Sequence, residues 1–200
     1  MIVLTLVALL LAVKMLYVAA VAWSICVTRG ALFVPTSRVR IRAALNAIAM
    51  QPGQLFVDLG CGDGRALREA SKRFGAMALG YEVNPLAYGL ACILGVRDRR
   101  VRIVFRSFWD ADLRDADVVF CYLFPDVMER LAVKLERELK KGALVISCNF
   151  PFPGWEPQTV LRFASSRQRD PIYVYEIPAP PADNAKALGA AGNWTKRSAS

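Results

Sequence analysis

Histidine is missing from this sequence of 200 residues. With it go the imidazole base, the Ser–His pair and every His-ligated metal centre, so any base must be another group. Five cysteines occur (Cys26, Cys61, Cys92, Cys121, Cys148), and none stands in a C-x-x-C pair. That removes the usual zinc and dithiol spacings and predicts small buried side chains in a reducing compartment. No metal is expected. Acids are the minority charge, 17 against 26 basic residues, for a formal charge of +9. Such a balance admits nucleic acid, anionic lipid or an acidic partner without choosing among them. There are no internal repeats.

In excess are apolar residues, 55% of the chain, and the surplus lies at the N-terminus. From Ile2 to about Val27 the run is broken only by Lys14 and a few small polar groups. It exceeds the roughly 20 residues needed to cross a bilayer. Its aliphatic side chains outweigh one lysine on an insertion scale. A signal peptide would carry positive charge before the apolar core and a small-x-small site after it, and neither is present. Trp23 suits a membrane interface, and Arg29, Arg38, Arg40 and Arg42 follow. The positive-inside rule then predicts one crossing of the cell (inner) membrane, with the rest cytoplasmic.

The remainder alternates strand and helix. Ser37 is a candidate N-cap for a helix from about Arg38 to Met50, with Ile41, Ala44, Leu45 and Ile48 facing the core. Strands are predicted at the apolar run from Phe56 that ends in Asp58, and at 76–81, 101–105, 117–122 and 143–148, with a closing pair at 159–163 and 172–177. Helices follow the first two strands and the fourth; the one at 126–140 carries Val127, Leu131, Leu135 and Leu139 on one face and a Glu136–Lys140 pair on the other. This is an α/β pattern, a parallel-rich sheet with helices on both faces. The domain expectation is an anchor at 1–28, a juxtamembrane segment and helix at 29–52, the α/β domain at 53–177 and a disordered basic tail at 178–200.

The chain is organised around Val57-Asp58-Leu59-Gly60-Cys61-Gly62-Asp63-Gly64-Arg65. A strand ends in an acid, glycines alternate, and a helix begins. That order puts a tight turn with free backbone N–H groups at the carboxyl edge of a parallel sheet, where such folds bind ligands. The dinucleotide spacing G-x-G-x-x-G would need a third glycine at position 65, which is Arg65. Twenty residues on, the second strand ends in Glu82, followed by Asn84-Pro85. An acid there can accept the hydroxyls of a ribose, so a nucleoside cofactor is expected.

D-x-G-x-G-x-G resembles the first motif of the S-adenosylmethionine (SAM) methyltransferases. The segments Phe33-Val34-Pro35-Thr36, Gly80-Tyr81-Glu82-Val83-Asn84-Pro85, Tyr122-Leu123-Phe124-Pro125, Lys134 to Leu139 and Phe150-Pro151-Phe152-Pro153-Gly154-Trp155 follow in an order that narrows the resemblance. It is similar to the membrane-anchored seven-strand protein-lysine N-methyltransferases of the ATP synthase c subunit and the adenine nucleotide translocase. The resemblance implies a Rossmann-like class I sheet of seven strands behind one transmembrane helix. It implies SAM held by Asp58, Gly60, Cys61, Gly62 and Gly64 at its methionine part, by Glu82 and Asn84 at the ribose, and by Ser107 and Phe108 at adenine. At Ser107 and Phe108 the family often has an acidic or amide residue instead.

Tyr122 and Pro125 stand where methyltransferases place the acceptor. The N-P-P-Y tetrad of amide and adenine methyltransferases is absent, which argues against those acceptors, and the resemblance implies a lysine. A lysine must first lose a proton, from a free pKa near 10.4. An aromatic pocket of Tyr122, Phe150, Phe152 and Trp155 would ease that by desolvation. The expected partner is a membrane protein. Two other readings stay open: a methyltransferase for RNA or a membrane small molecule such as a quinone or lipid, and a SAM-binding membrane protein without catalysis.

Overall fold

The computed structural model describes residues 2–28, 36–163 and 170–178. The expected linker at 29–35, with Arg29 and most of the F-V-P-T segment, lies outside the described residues, as does the tail from 179.

Seven strands form one sheet: β1 (Leu55–Leu59), β2 (Met77–Glu82), β3 (Val101–Phe105), β4 (Val118–Cys121), β5 (Leu144–Cys148), β6 (Thr159–Leu161) and β7 (Ile172–Glu176), in the order β3-β2-β1-β4-β5-β7-β6. β1 to β5 are parallel, and β7 inserts antiparallel between β5 and β6. The order reverses at β1, which sends β1 one way to β2 and the other way to β4. A crevice opens above the strand ends at such a reversal. The fold is the seven-strand mixed sheet that the sequence predicts.

Helices α1 (Ile2–Thr28), α2 (Arg38–Asn46), α3 (Arg65–Phe74), α4 (Pro85–Gly95) and α5 (Pro125–Glu138) complete the chain. Ser37 caps α2 by accepting the Arg40 N–H at 3.4 Å. Ile41, Ala44, Leu45 and Ile48 are buried as expected, but the helix stops at Asn46 rather than Met50. One core joins α2 and α3 to Phe56, Val118, Phe120 and Ile146. The other joins α5 to Val57, Leu59, Val119 and Val145 on the opposite face. Right-handed crossovers place α4 beside α3, and a Cβ on Gly64 at the start of α3 would stand 3.4 Å from the Ala91 Cβ of α4.

The pairing on α5 differs from the expectation. Lys134, buried, meets Glu138 at 2.8 Å and the Ala111 carbonyl at 2.6 Å. Lys140 turns to Asp117 at 2.7 Å, and Glu136 accepts from the Trp155 indole. Lys134 and Glu138 keep the spacing of one helical turn, whereas for Glu136 and Lys140 partners across the fold win over that neighbour.

In α1 the side chains are described from Val3 to Ala19, and the large apolar ones from Val3 to Val18 are exposed. Among the described residues no helix is long and apolar enough to cross a membrane. The crossing expected at residues 2–27 is therefore present as a helix and not shown as a span.

Candidate functional site

The glycine turn forms because its residues need left-handed backbone. Gly60, Gly62 and Gly64 have φ of 82°, 56° and 73°, a region that costs a side-chain-bearing residue about 1 kcal/mol or more. The expected free N–H groups are not free. Gly60 and Cys61 both donate to the Tyr81 carbonyl at 3.0 Å, Gly62 donates to Glu82 Oε2 at 2.8 Å, and Gly64 donates to the Cys61 carbonyl at 2.8 Å. The turn is stitched to the end of β2, so these four amides do not form an anion cradle.

Carboxylates line it instead. Asp58, Asp63 and Glu82 are all buried. Glu82 accepts three backbone N–H bonds, from Gly62 at 2.8 Å, Val83 at 2.8 Å and Asn84 at 2.7 Å. A carboxylate offers about four acceptor positions, so room for one more donor remains. Burial, and then the nearby Glu82 and Asp63, push the Asp58 carboxyl well above the ordinary range. Burial also raises Asp63, yet bonds from Arg65 at 2.8 to 3.2 Å outweigh it and hold that carboxyl below its usual value. The Cys61 thiol is pushed well up by burial and by Asp58. Its side chain faces Gly80 and Leu67, where a Cβ on Gly80 would lie 2.6 Å from the sulfur. Only its backbone can face a ligand.

Asn84 has a structural duty. Its Oδ1 accepts the Leu86 and Ala87 N–H groups at 3.0 and 3.1 Å and caps α4. Ser107 caps a single 3-10 turn (Phe108–Asp110) through Trp109. That loop adjoins Glu82, whose carbonyl accepts the Arg106 N–H at 3.2 Å. Phe108 packs into the α5-side core and against Trp109 at 4.8 Å. Asp58, Glu82 and the Ser107 loop are thus brought to one sheet edge.

The acceptor candidates divide. Leu123, just past β4, lies 3.7 Å from a Cβ built on Gly60, so the end of β4 overhangs the glycine turn. Tyr122 packs on the α2-side core with the Arg40 guanidinium 5.7 Å from its ring centroid. Pro125 is the first residue of α5. Phe150 and Trp155 belong to the opposite face. Trp155 packs on Phe152 and Tyr175 at 4.7 and 5.4 Å and donates its indole N–H to Glu136 at 2.6 Å. Tyr122 and Trp155 do not share one pocket.

The sequence reading missed two residues. Asn149 follows β5 with φ of 77°, among the described residues the one non-glycine in that region. Its Nδ2 donates to the Tyr122 hydroxyl at 3.0 Å, and its Oδ1 accepts from Arg40 Nη2 at 2.5 Å. A guanidinium cannot accept, so Arg40 fixes which way the amide points. Arg40 is buried and also meets Asp170 at 3.4 Å. Its Nε is buried without a hydrogen-bond partner among the described residues. No local signal marks either residue, because the contacts span 109 and 27 positions.

Buried acids around a closed turn suit a cation better than a phosphate. A sulfonium with an ammonium group, joined to a ribose that can take the open position on Glu82, fits this donor set.

A family model described as the ANTKMT methyltransferase domain matches residues 58–159. The chain belongs to that family. This methyltransferase is 36% identical over 150 residues to a protein-lysine N-methyltransferase of Saccharolobus islandicus, covering 72% of the chain and 92% of the relative. It is 34% identical to the adenine nucleotide translocase lysine N-methyltransferase of Mus musculus, covering 72% of the chain and 62% of that longer protein. An RNA methyltransferase from Salinibacter ruber, solved with S-adenosyl-L-homocysteine, superposes with a TM-score of 0.69 at 28% identity, over 75% of this chain and 98% of that one.

Proposed function

We propose that this methyltransferase is a SAM-dependent protein-lysine N-methyltransferase, held at the cell (inner) membrane by α1. Its acceptor is a membrane-protein lysine near the cytoplasmic surface. The observation that carries the reading is the closed glycine turn, ringed by Asp58, Asp63 and Glu82 and overhung by the end of β4. Asp58 and the turn from Gly60 to Gly64 would hold the amino-acid part of SAM. Glu82, fixed by the capped start of α4, would take the ribose, and the loop at Ser107 and Phe108 would border the adenine. Bound SAM supplies a methyl group on a sulfonium, already activated for transfer.

What remains for the chain is placement. Tyr122 would border the incoming amine, its ring held by Asn149 and Arg40, with Pro125 fixing the turn into α5. Phe150 and Trp155 would act from behind, as packing that sets this edge. The amine is nucleophilic only as the neutral form, so its proton leaves to solvent before transfer. The names of the Saccharolobus islandicus and Mus musculus relatives support lysine as acceptor.

The membrane part rests on α1. Its 27 residues make a helix about 40 Å long, whose large apolar side chains from Val3 to Val18 are exposed, with Lys14 the one charge among them. That much outward apolar surface calls for a non-aqueous cover. A second reading, RNA as acceptor, is favoured by the Salinibacter ruber structure and the basic charge. The test is to incubate the full chain with source-cell membranes and methyl-labelled SAM, then locate the label. Label on a protein lysine is expected. Label in RNA transfers the assignment to the second reading, and label in the lipid extract or nowhere overturns both.

A further inference from the structure

The layer formed by α2, α3 and α4 carries features that cofactor and acceptor do not use. Helix α4 has no charged residue along Pro85–Gly95. Its inner side is small, with Ala87, Ala91 and Gly95 buried, and a Cβ on Gly95 would stand 3.3 Å from Val101. Its outer side is large and apolar. Leu86, Leu90, Ile93 and Leu94 recur at one helical face, and Ile93 is 71% exposed. Val96, 77% exposed, and Phe105 of the edge strand β3, 51% exposed, extend the patch. These exposures hold with α1 present, although α1 touches α4. A helix facing only water would carry polar residues there.

Cations frame the patch. Arg97, Arg99 and Arg100, in the turn after α4, are exposed, and among the described residues none of the three forms an ion pair. In the same layer, α2 and α3 enclose a groove of about 610 Å³ lined by Arg38, Arg42, Asn46, Arg65, Arg68, Glu69, Lys72 and Arg73. The asymmetry is chain-wide. Residues 36–106 hold twelve Lys and Arg against five Asp and Glu, whereas residues 107–163 hold seven against nine. Burial, and then the neighbouring Arg38 and Arg65, lower the Arg68 guanidinium against the pull of Asp63.

We infer that the α2–α3–α4 layer lies flat on an anionic lipid bilayer, with the α4 stripe in the acyl boundary and the arginines on lipid phosphates. An apolar stripe flanked by cations is the arrangement by which a surface helix binds such a membrane. A nucleic acid would satisfy the arginines and leave Ile93, Leu94 and Phe105 in water. The contact of α1 with α4 brings the proposed anchor to this same layer. The inference deepens the membrane part of the proposed function and rests on it, so the test reads the two separately.

The full chain is reconstituted into nanodiscs of phosphatidylcholine alone, or with about 30% phosphatidylglycerol, and its side chains are labelled by hydroxyl radicals. Leu9 and Leu10 report the anchor. Ile93, Leu94 and Phe105 report the layer, against Val133 on α5, which is 61% exposed. We expect Leu9 and Leu10 to be protected in both lipids. The layer positions should lose labelling roughly threefold or more only with phosphatidylglycerol, and the double variant Arg97→Glu, Arg100→Glu should abolish that difference. Labelled Leu9 and Leu10 overturn the anchor. A protected anchor with Ile93, Leu94 and Phe105 fully labelled in both lipids overturns the layer alone. Protection that ignores lipid charge, that extends to Val133, or that appears in detergent at high protein concentration makes the patch something other than an anionic-lipid surface.

Discussion

The two halves of the site are built from different materials. At the ends of β1 and β2 the geometry is main chain: Gly60, Cys61 and Gly62 donate to Tyr81 and Glu82, and Glu82 accepts from Val83 and Asn84. At the ends of β4 and β5 it is side chain: Arg40, Asn149 and Tyr122 hold one another across three separate elements. A main-chain site constrains residue type by conformation, so its signature is short. A side-chain site constrains it by distant partners, so its signature is scattered. The first tolerates few substitutions; the second can change its side chains while the fold stays.

The largest effect should come from breaking the main-chain half. Glu82→Ala removes the acceptor of three backbone N–H groups together with the proposed ribose contact. Charge-assisted bonds contribute about 1.5–3 kcal/mol each, so SAM affinity should fall roughly 10- to 100-fold, with a lowered melting temperature. Calorimetry on the folded full chain checks this. Unchanged affinity removes Glu82 from the cofactor site.

Next is the packing beneath the turn. Gly80→Ala brings a Cβ to 2.6 Å from both Cys61 Sγ and Leu67 Cδ1, an overpacking that costs about 1–3 kcal/mol. Adding Cys61→Ala should restore part of the stability, as denaturant unfolding would show, because the sulfur contact is gone while those with Leu67 Cδ1 at 2.6 Å and the Cβ of residue 61 at 2.8 Å remain. Equal destabilisation with and without Cys61 would mean that the turn yields easily and is less rigid than its bonding implies.

The smallest effect is electrostatic and separates the halves by pH. Asp58 is raised by burial and by its acidic neighbours. A carboxyl whose folded pKa lies above its unfolded value stabilises the ligand-free fold at low pH and loses that contribution as pH rises through the folded pKa. A bound cation favours the ionised form. SAM should therefore bind more tightly as pH rises through that range, by at most about tenfold per unit. S-adenosyl-homocysteine, which keeps the same ammonium group, should show the same slope. An affinity that does not change with pH in titration calorimetry would show that Asp58 does not face the amino-acid part of SAM.

Most of the fold was legible because its signals are local. Ser37, read as the N-cap of the helix from Arg38, caps α2, whereas Asn84, read only as a ribose-side residue, turns out to cap α4. The apolar run of β4 marked a central strand, and it lies between β1 and β5. At the candidate site, the meeting of Asp58, the glycines and Glu82 at one sheet edge was legible from their spacing. The engagement of the turn's amides was not, since it depends on how β2 ends beside β1. Nor was the division of the aromatics: Phe150-Pro151-Phe152-Pro153-Gly154-Trp155 reads as one cluster, but Tyr175 and Glu136 draw Trp155 to the opposite face from Tyr122. Asn149 and Arg40 carried no motif.

The separation of the two halves is tested most directly by measuring SAM affinity and single-turnover methyl transfer into membranes for Glu82→Gln and Asn149→Gly side by side. Glycine adopts φ of 77° without strain, so Asn149→Gly removes the amide and keeps the backbone. The account predicts that Asn149→Gly leaves SAM affinity unchanged and slows transfer at saturating SAM by roughly 5- to 10-fold, the loss of about one hydrogen bond's ordering of Tyr122. Glu82→Gln should weaken SAM binding and leave the saturated transfer rate near that of the unaltered chain. If Asn149→Gly weakens SAM binding, or if it transfers methyl groups at the full rate, the acceptor half is not where Tyr122 and Asn149 stand.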